Sequence, residues 1–287
     1  MSRLTPLWNT PELQVRRFDH AHAGHAPDDA EEVAGQYIIS VVERGRFLLH
    51  CRGQRWELGP GDVMLSRPGM EFRVQHPGHD YGDVCLSLCL ADASMEAADP
   101  QRVWPASRPP VLRAADRTAY LHWALLRAVR DAQGLHAEAC AADWLEALAV
   151  PPRTAPRPFR PHNLRWHAER VQTARERLDA EPAAEHRLVQ LARDAAMSPF
   201  QFARVFERLV GLPPHRYLLR ARLRRAAAML DAGSRVTDAC YACGFNHPAH
   251  FTRLFRREFG ALPSHYRGAS AGANWARNCK QAPPCLP

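Results

Sequence analysis

The sequence predicts an α+β protein of two domains, a small β-barrel with flanking helices followed by an all-α half. Three observations carry this reading. Short β-rich runs divided by turn residues fill roughly residues 13–90. Five prolines crowd into Val150–Asn163. Beyond them, one helical pattern occurs twice between residues 187 and 267.

The β-rich runs are Gln36–Glu43, Arg46–Cys51, Gln54–Leu58, Asp62–Ser66, Glu71–Gln75 and Val84–Leu90. Turn residues separate them, among them Arg52-Gly53, Gly59-Pro60-Gly61 and Arg67-Pro68-Gly69. Short strands so spaced predict a sandwich or small barrel. After a Pro-rich crossing at 105–110 the period changes. Ala114–Ala132 sets Leu121, Leu125, Leu126 and Val129 on one stripe, and Glu138–Ala149 does the same with Trp144, Leu145 and Leu148. Spacings of three and four mark amphipathic helices. This pair either covers the barrel or packs between protomers.

Proline fixes φ and removes a backbone donor, so 151–163 reads as a semi-rigid linker. It divides a domain at 1–150 from one at 164–268, and 269–287 reads as a flexible tail. Helices are expected at about 165–180, 187–196, 198–210, 214–231, 236–243, 247–259 and 263–267.

The repeat defines the second domain. Phe202, Arg204, Phe206, Arg208, Gly211, Pro214 and Tyr217 return as Phe251, Arg253, Phe255, Arg257, Gly260, Pro263 and Tyr266, each 49 positions later. Upstream the offset is 48, from Ala192 to Cys240 and from Met197 to Phe245, so the second turn holds one extra residue. Short helix, turn, arginine-bearing helix and Gly-x-x-Pro form the grammar of a helix-turn-helix, which presents one helix to the DNA major groove. The units lie at about 187–210 and 236–259. In the first, Leu188, Leu191 and Ala192 form the apolar face of the positioning helix, and Ser198 caps the helix that follows. In the second, Val236, Ala239, Cys240 and Cys243 face inward, and Asn246 or His247 is the cap. Phe202, Val205, Phe206 and Leu209, like Phe251, Leu254, Phe255 and Phe259, repeat at helical spacing and form the core.

Charge follows the same division. Residues 1–159 carry 17 Arg against 20 acidic residues, whereas 160–268 carry 19 Arg against 10. A basic half points to a polyanionic partner for that half alone. No apolar run is long enough to span a bilayer, and the N-terminus lacks the apolar core of a secretory signal. A cytoplasmic protein is expected, without membrane association. Eight cysteines at irregular spacing read as small buried hydrophobes rather than a disulfide scaffold.

The run Arg222-x-x-x-Ala226-x-x-x-Leu230, Val236-x-Asp238-Ala239-Cys240, Gly244-Phe245, His250-Phe251-x-Arg253-x-Phe255-Arg256, Gly260-x-x-Pro263-x-x-Tyr266-Arg267 resembles the signature of the AraC/XylS family of transcription regulators. The likeness covers roughly 167–268. Cys240 stands where the family usually has Ala. The resemblance implies that the second helix of each unit enters the major groove. The DNA-facing residues are then Phe200, Gln201, Ala203, Arg204 and Arg208 in the first unit, and Ala249, His250, Thr252, Arg253, Arg256 and Arg257 in the second. Arg204 and Arg253 are the candidates for guanine contact, with phosphate contact the alternative. Gln201 and His250 read bases or bind phosphate, and Arg208, Arg256 and Arg257 grip phosphates. Arg222, Arg224 and Arg225 read as a solvated face of the connecting helix. With groove faces about 10 bp apart, one protomer should cover about 20 bp of double-stranded DNA.

Gly45-Arg46, Leu58-Gly59-Pro60-Gly61-Asp62-Val63 and Pro68-Gly69 resemble the cupin-like barrel of the same family. That resemblance implies a small-molecule effector or a homodimer contact, and RNA polymerase as a partner if the protein is an activator. Enzymatic cupins hold a metal with closely spaced histidines, and here His50 is followed by Arg52 where a second would fall. His20, His22 and His25, with His76 and His79, either converge on a metal or stand as solvated loop side chains. The second of these is expected, so neither catalytic residues, a metal nor a cofactor is assigned. A metal-dependent cupin enzyme fused to a DNA-binding unit is one alternative. A sensor using Cys51, Cys85 or Cys89 is another.

Overall fold

The computed structural model describes residues 2–20, 31–76, 83–92, 95, 103–105, 107–132, 134–149 and 159–266. The chain divides into two compact units, Met1–Pro156 and Arg157–Pro287. Residues 151–158 of the expected linker at 151–163, and the expected tail at 269–287, lie outside the described residues.

The first unit holds β1 (Ser2–Asn9), β2 (Leu13–His20), β3 (Glu32–Val33), β4 (Tyr37–Arg44), β5 (Phe47–Cys51), β6 (Gln54–Leu58), β7 (Val63–Ser66), β8 (Glu71–Gln75), β9 (Val84–Leu90) and β10 (Val111–Leu112). They form two antiparallel sheets, ordered β1-β2-β9-β4-β7-β10 and β3-β8-β5-β6. All six strands read from the sequence are present. The sequence runs do not include β1, β2, β3 or β10, and the chain of β1 bulges between Pro6 and Trp8. Proline cannot donate to a ladder and is tolerated on an edge strand, which β1 is.

Between the sheets, Val42, Phe47, Leu49, Leu58, Met64 and Cys85 pack as one apolar cluster. The other face of the larger sheet carries Ile39, Val41, Leu86 and Leu88, which are as deeply buried. Helix α1 (Asp116–Arg130) meets that face, since His122 Nε2 lies 3.1 Å from Glu43 Oε1 at the end of β4. Helix α2 (Gly134–Ala149) packs on α1. Within one chain, α1 thus touches the sheet through this contact, with α2 outside it.

The Pro-Gly-Asp turn works as an anchor for α1. Asp62 accepts from Gly59 N at 3.1 Å, from Arg113 Nη1 at 2.9 Å and from Ala114 N at 2.9 Å. One carboxylate thus closes its own turn and seizes the strand leading into the helix.

The second unit holds α3 (Pro161–Ala180), α4 (Leu188–Asp194), α5 (Pro199–Val210), α6 (Pro214–Asp231), α7 (Val236–Ala242), α8 (Pro248–Phe259) and a 3-10 turn at Pro263–His265. Helix α3 begins inside the span read as linker, because Pro161 occupies its first turn, where no amide donor is needed. Arg222 on α6 is a correction. Its guanidinium is not solvated but donates to the carbonyls of Pro182 (2.7 Å), Ala184 (3.0 Å) and Gly244 (3.0 Å). Burial draws its pKa down, so these carbonyls compensate a desolvated charge.

Glycine 244 sits at φ +80, and a Cβ there would lie 2.8 Å from the Ala183 carbonyl oxygen. Gly69 is also left-handed, φ +74, but faces open space. Gly244→Ala should cost roughly 2–4 kcal/mol and Gly69→Ala about 1 kcal/mol, measured by urea unfolding. Equal costs would show that backbone strain alone, without the clash, governs position 244.

Burial pushes the Glu43 carboxyl up, but hydrogen bonds from His122 and Arg17 outweigh it and hold the pKa below the ordinary value. A depressed folded pKa means that the folded state binds fewer protons, so this stability is present above about pH 5 and lost as pH falls through the carboxylate range. Glu43→Gln should therefore cost about 1–2 kcal/mol at pH 7 and progressively less toward pH 3, measured by urea unfolding at each pH.

Candidate nucleic-acid interface

Helices α5 and α8 are equal in length and start 49 residues apart, as do their ends. Each runs from Pro at its first turn to a left-handed glycine, Gly211 at φ 89 and Gly260 at φ 71. Helices α4 and α7 are offset by 48, which places the extra residue in the second turn. The inner faces duplicate each other in geometry as well as in sequence. Phe202 and Phe206 rings lie 5.7 Å apart, and Phe251 and Phe255 5.5 Å apart. Phe206 meets Tyr217 edge-on at 5.6 Å, and Phe255 meets Tyr266 edge-on at 5.1 Å. Leu188 departs from expectation, with 39% of its surface exposed, so Leu191 and Ala192 carry the apolar face of α4.

The outer faces hold the residues named for DNA. On α5, Phe200, Gln201 and Arg204 are exposed and Ala203 is half-buried. Phe200 is 72% exposed, and the Arg204 guanidinium lies 5.6 Å from its ring centroid. On α8, Ala249, His250, Arg253, Arg256 and Arg257 are exposed and Thr252 is half-buried. Arg208 differs from this group: half-buried, it stacks over the Phe159 ring at 3.9 Å. Phe159 was not singled out by the sequence reading, although an aromatic residue among prolines and arginines has to bury its ring on something. Beyond these helices, the large exposed apolar side chains of the second unit include Tyr241 on α7 and Val189 on α4, 58% and 60% exposed.

Charge on the frame is largely spent internally. Arg220 pairs with Glu258 at 2.7 Å, joining α6 to α8. Arg175 donates to the Tyr217 hydroxyl at 3.1 Å, which donates to Asp179 at 2.7 Å, joining α3 to α6. The exposed faces of α5 and α8 keep their arginines toward solvent, where a phosphate backbone could neutralise them.

In the barrel, His50 Nε2 lies 3.1 Å from Gln75 Oε1. Cys51, Cys85 and Cys89 are buried and in no disulfide, and burial raises the pKa of each thiol. Such thiols stay protonated and poorly nucleophilic. His20 and His76 are not solvated loop side chains: both face the buried Asp83. His22, His25 and His79 lie outside the described residues.

A cupin-like barrel and a tandem helix-turn-helix on one chain define the class of DNA-binding regulators that carry their own ligand-binding domain. Residues 19–148 match the AraC-like ligand binding domain, and residues 191–269 match the helix-turn-helix domain. The chain belongs to the AraC/XylS family of transcription regulators. An uncharacterized HTH-type transcriptional regulator of Haemophilus influenzae is 32% identical over 100 residues, 34% of each chain. The transcriptional activator RhaS of Escherichia coli is 39% identical over 83 residues, 29% of this chain and 30% of its own. An HTH-type regulator of Mycobacterium tuberculosis is 41% identical over 87 residues, 30% of this chain and 34% of its own. The matches thus span about a third of the length of these curated relatives. Among the described residues, no helix is long and apolar enough to cross a membrane.

Ser198 Oγ accepts from Gln201 N at 3.2 Å, whereas His247, at the equivalent end of α8, makes no side-chain cap bond. Ser198→Ala should cost about 1 kcal/mol and His247→Ala close to nothing, read from thermal unfolding. A matching cost at both positions would sink the idea that only the first unit relies on a side-chain cap.

Proposed function

We propose that this protein is a sequence-specific, double-stranded-DNA-binding transcription regulator in which α5 and α8 enter successive major grooves. The observation that carries this reading is the pair of solvent-facing arginines, Arg204 and Arg253, at matching places on two helices whose inner faces are near copies. Each helix has 12 residues, about 18 Å of rod, which suits a groove about 12 Å wide. Helix α6, with 18 residues, is about 27 Å long and sets the spacing of the two units. One protomer then covers about 20 bp.

Arg204 and Arg253 read guanine edges, with Gln201, His250 and Thr252 beside them, while Phe200 lies beside the Arg204 guanidinium and offers its ring toward a thymine methyl. Ala203 and Ala249 allow close approach. Arg256 and Arg257 hold phosphates, and Arg208 reaches one from its stack on Phe159. The barrel takes a small effector, which the likeness to an AraC-like ligand binding domain supports. RNA polymerase is the further partner if the protein activates, as RhaS is named to do, and a homodimer would pair two such DNA sites. It performs no catalysis in this reading, and it works in the cytoplasm, where DNA and polymerase are.

Arg253→Ala should weaken specific binding by about 1–3 kcal/mol and relax preference at one base pair. Uniform weakening on every sequence would make Arg253 a phosphate contact instead. Affinity measured by fluorescence anisotropy should also fall steeply between 50 and 200 mM salt through counterion release, about tenfold or more; a flat response would remove the electrostatic basis of the proposal.

A further inference from the structure

Among the described residues, the barrel holds one cluster with the chemistry of a metal centre. His20 ends β2, Asp83 directly precedes β9, and His76 directly follows β8. Strands β2 and β9 belong to the six-stranded sheet, and β8 belongs to the four-stranded sheet. His20 and Asp83 are also locked together by backbone, since His20 N donates to the Asp83 carbonyl at 2.9 Å. The cluster therefore spans the two sheets at one end of the barrel.

Its side chains converge on one oxygen. His20 Nδ1 lies 3.0 Å and His76 Nε2 2.5 Å from Asp83 Oδ1. The three donor atoms all lie within 4.8 Å of one another. The second oxygen, Asp83 Oδ2, accepts from the Cys85 thiol at 3.0 Å. The Asp83 side chain is 3% exposed, while the two imidazoles keep 33% and 18%, so an entry path from solvent exists. Aromatic rings support the imidazoles: Phe18 stacks on His20 at 6.1 Å, and Phe47 lies 6.2 Å from His76.

We propose that His20, His76 and Asp83 form a binding site for a divalent transition-metal ion such as Zn²⁺, with a fourth position open to water. Two imidazoles and a carboxylate are the donor set such an ion prefers. Three protein ligands with an open position mark an exchangeable centre, in contrast to the closed four-ligand structural type. Bonds of about 2.0–2.1 Å put ligand atoms around a tetrahedral ion about 3.3 Å apart. The imidazole nitrogens stand closer to Asp83 Oδ1 than ligands of one ion would, so the rings must shift to admit it, which their partial exposure allows. Bound there, the ion would tie the two sheets together through atoms on both.

This site does not lie where the sequence likeness places enzymatic cupin ligands, since His50 faces Gln75 instead. Nor does it depend on the DNA-binding proposal. Its test is calorimetric titration of the chelator-treated full-length protein with ZnCl₂, with metal content measured after dialysis. One ion per chain is expected. His20→Ala and His76→Ala should each weaken binding by at least roughly 100-fold, the upper end of what even outer-sphere partners contribute. Asp83→Asn, which keeps shape and removes the anionic ligand, should do the same, and it serves if an alanine variant fails to fold. Absence of stoichiometric binding by the wild type overturns the proposal and leaves a hydrogen-bonded His–Asp cluster only. Equally tight binding by the His20→Ala/His76→Ala double variant overturns it too, by moving the ion to other residues.

Discussion

The DNA-binding half depends on how one desolvated arginine is satisfied. Arg222 leaves α6 and donates to three carbonyls, two of them in the loop before α4 and one in the turn between α7 and α8. A single side chain thereby refers both helix-turn-helix units to the same rod. Truncating it would leave three carbonyls short of a donor inside a half-buried junction, each costing about 1–3 kcal/mol if water cannot reach it. Gly244 belongs to the same device. The Arg222 guanidinium and the Ala183 carbonyl approach so closely that position 244 has no room for a side chain. Around this junction, Arg220–Glu258 and Arg175–Tyr217–Asp179 brace α6 against α8 and α3. The spacing of α5 and α8 is thus set by buried polar geometry, while the aromatic cores set the internal shape of each unit.

A comparable economy governs the barrel. Asp62 closes the turn in which it sits and also holds Arg113 and Ala114, the residues that lead into α1. Glu43, at the far end of β4, takes His122 from the same helix. The helical pair is therefore fixed to the larger sheet at two places by carboxylates, over an apolar face made by Ile39, Val41, Leu86 and Leu88.

What was legible in the sequence follows from where the signal is local. The strands between 36 and 90 are bounded by Gly and Pro turns, and the helix pairs carry a 49-residue repeat, so period and punctuation suffice for both. Strand β1 was not legible because Pro6 spoils its alternation, and only pairing with β2 reveals it. Arg222 looks like its neighbours Arg224 and Arg225 on an arginine-rich helix; its difference lies in carbonyls 22 to 40 residues away. Arg208 was read as free for phosphate, and its stack on Phe159 joins residues that no periodicity connects. The histidine cluster was half legible. His20 and His76 were noticed as ligand types, but Asp83, the buried carboxylate that gathers them, carries no local mark.

The two helices proposed to face DNA combine fidelity inside with divergence outside. Their rings repeat spacing and tilt closely, Phe202–Phe206 against Phe251–Phe255 being the clearest pair. A core close-packed to this degree resists change in volume, so copies of it stay alike. The solvent faces bear no such constraint. Gln201 is matched by His250, Ala203 by Thr252, and the Ser198 cap by a histidine that caps nothing. Groove edges distinguish base pairs by donor and acceptor pattern, and an amide and an imidazole answer different patterns. On the proposed function, two near-duplicate scaffolds carrying different side chains would read an asymmetric site, in which Arg204 and Arg253 would supply the shared element, and direction along the DNA would be encoded within one chain.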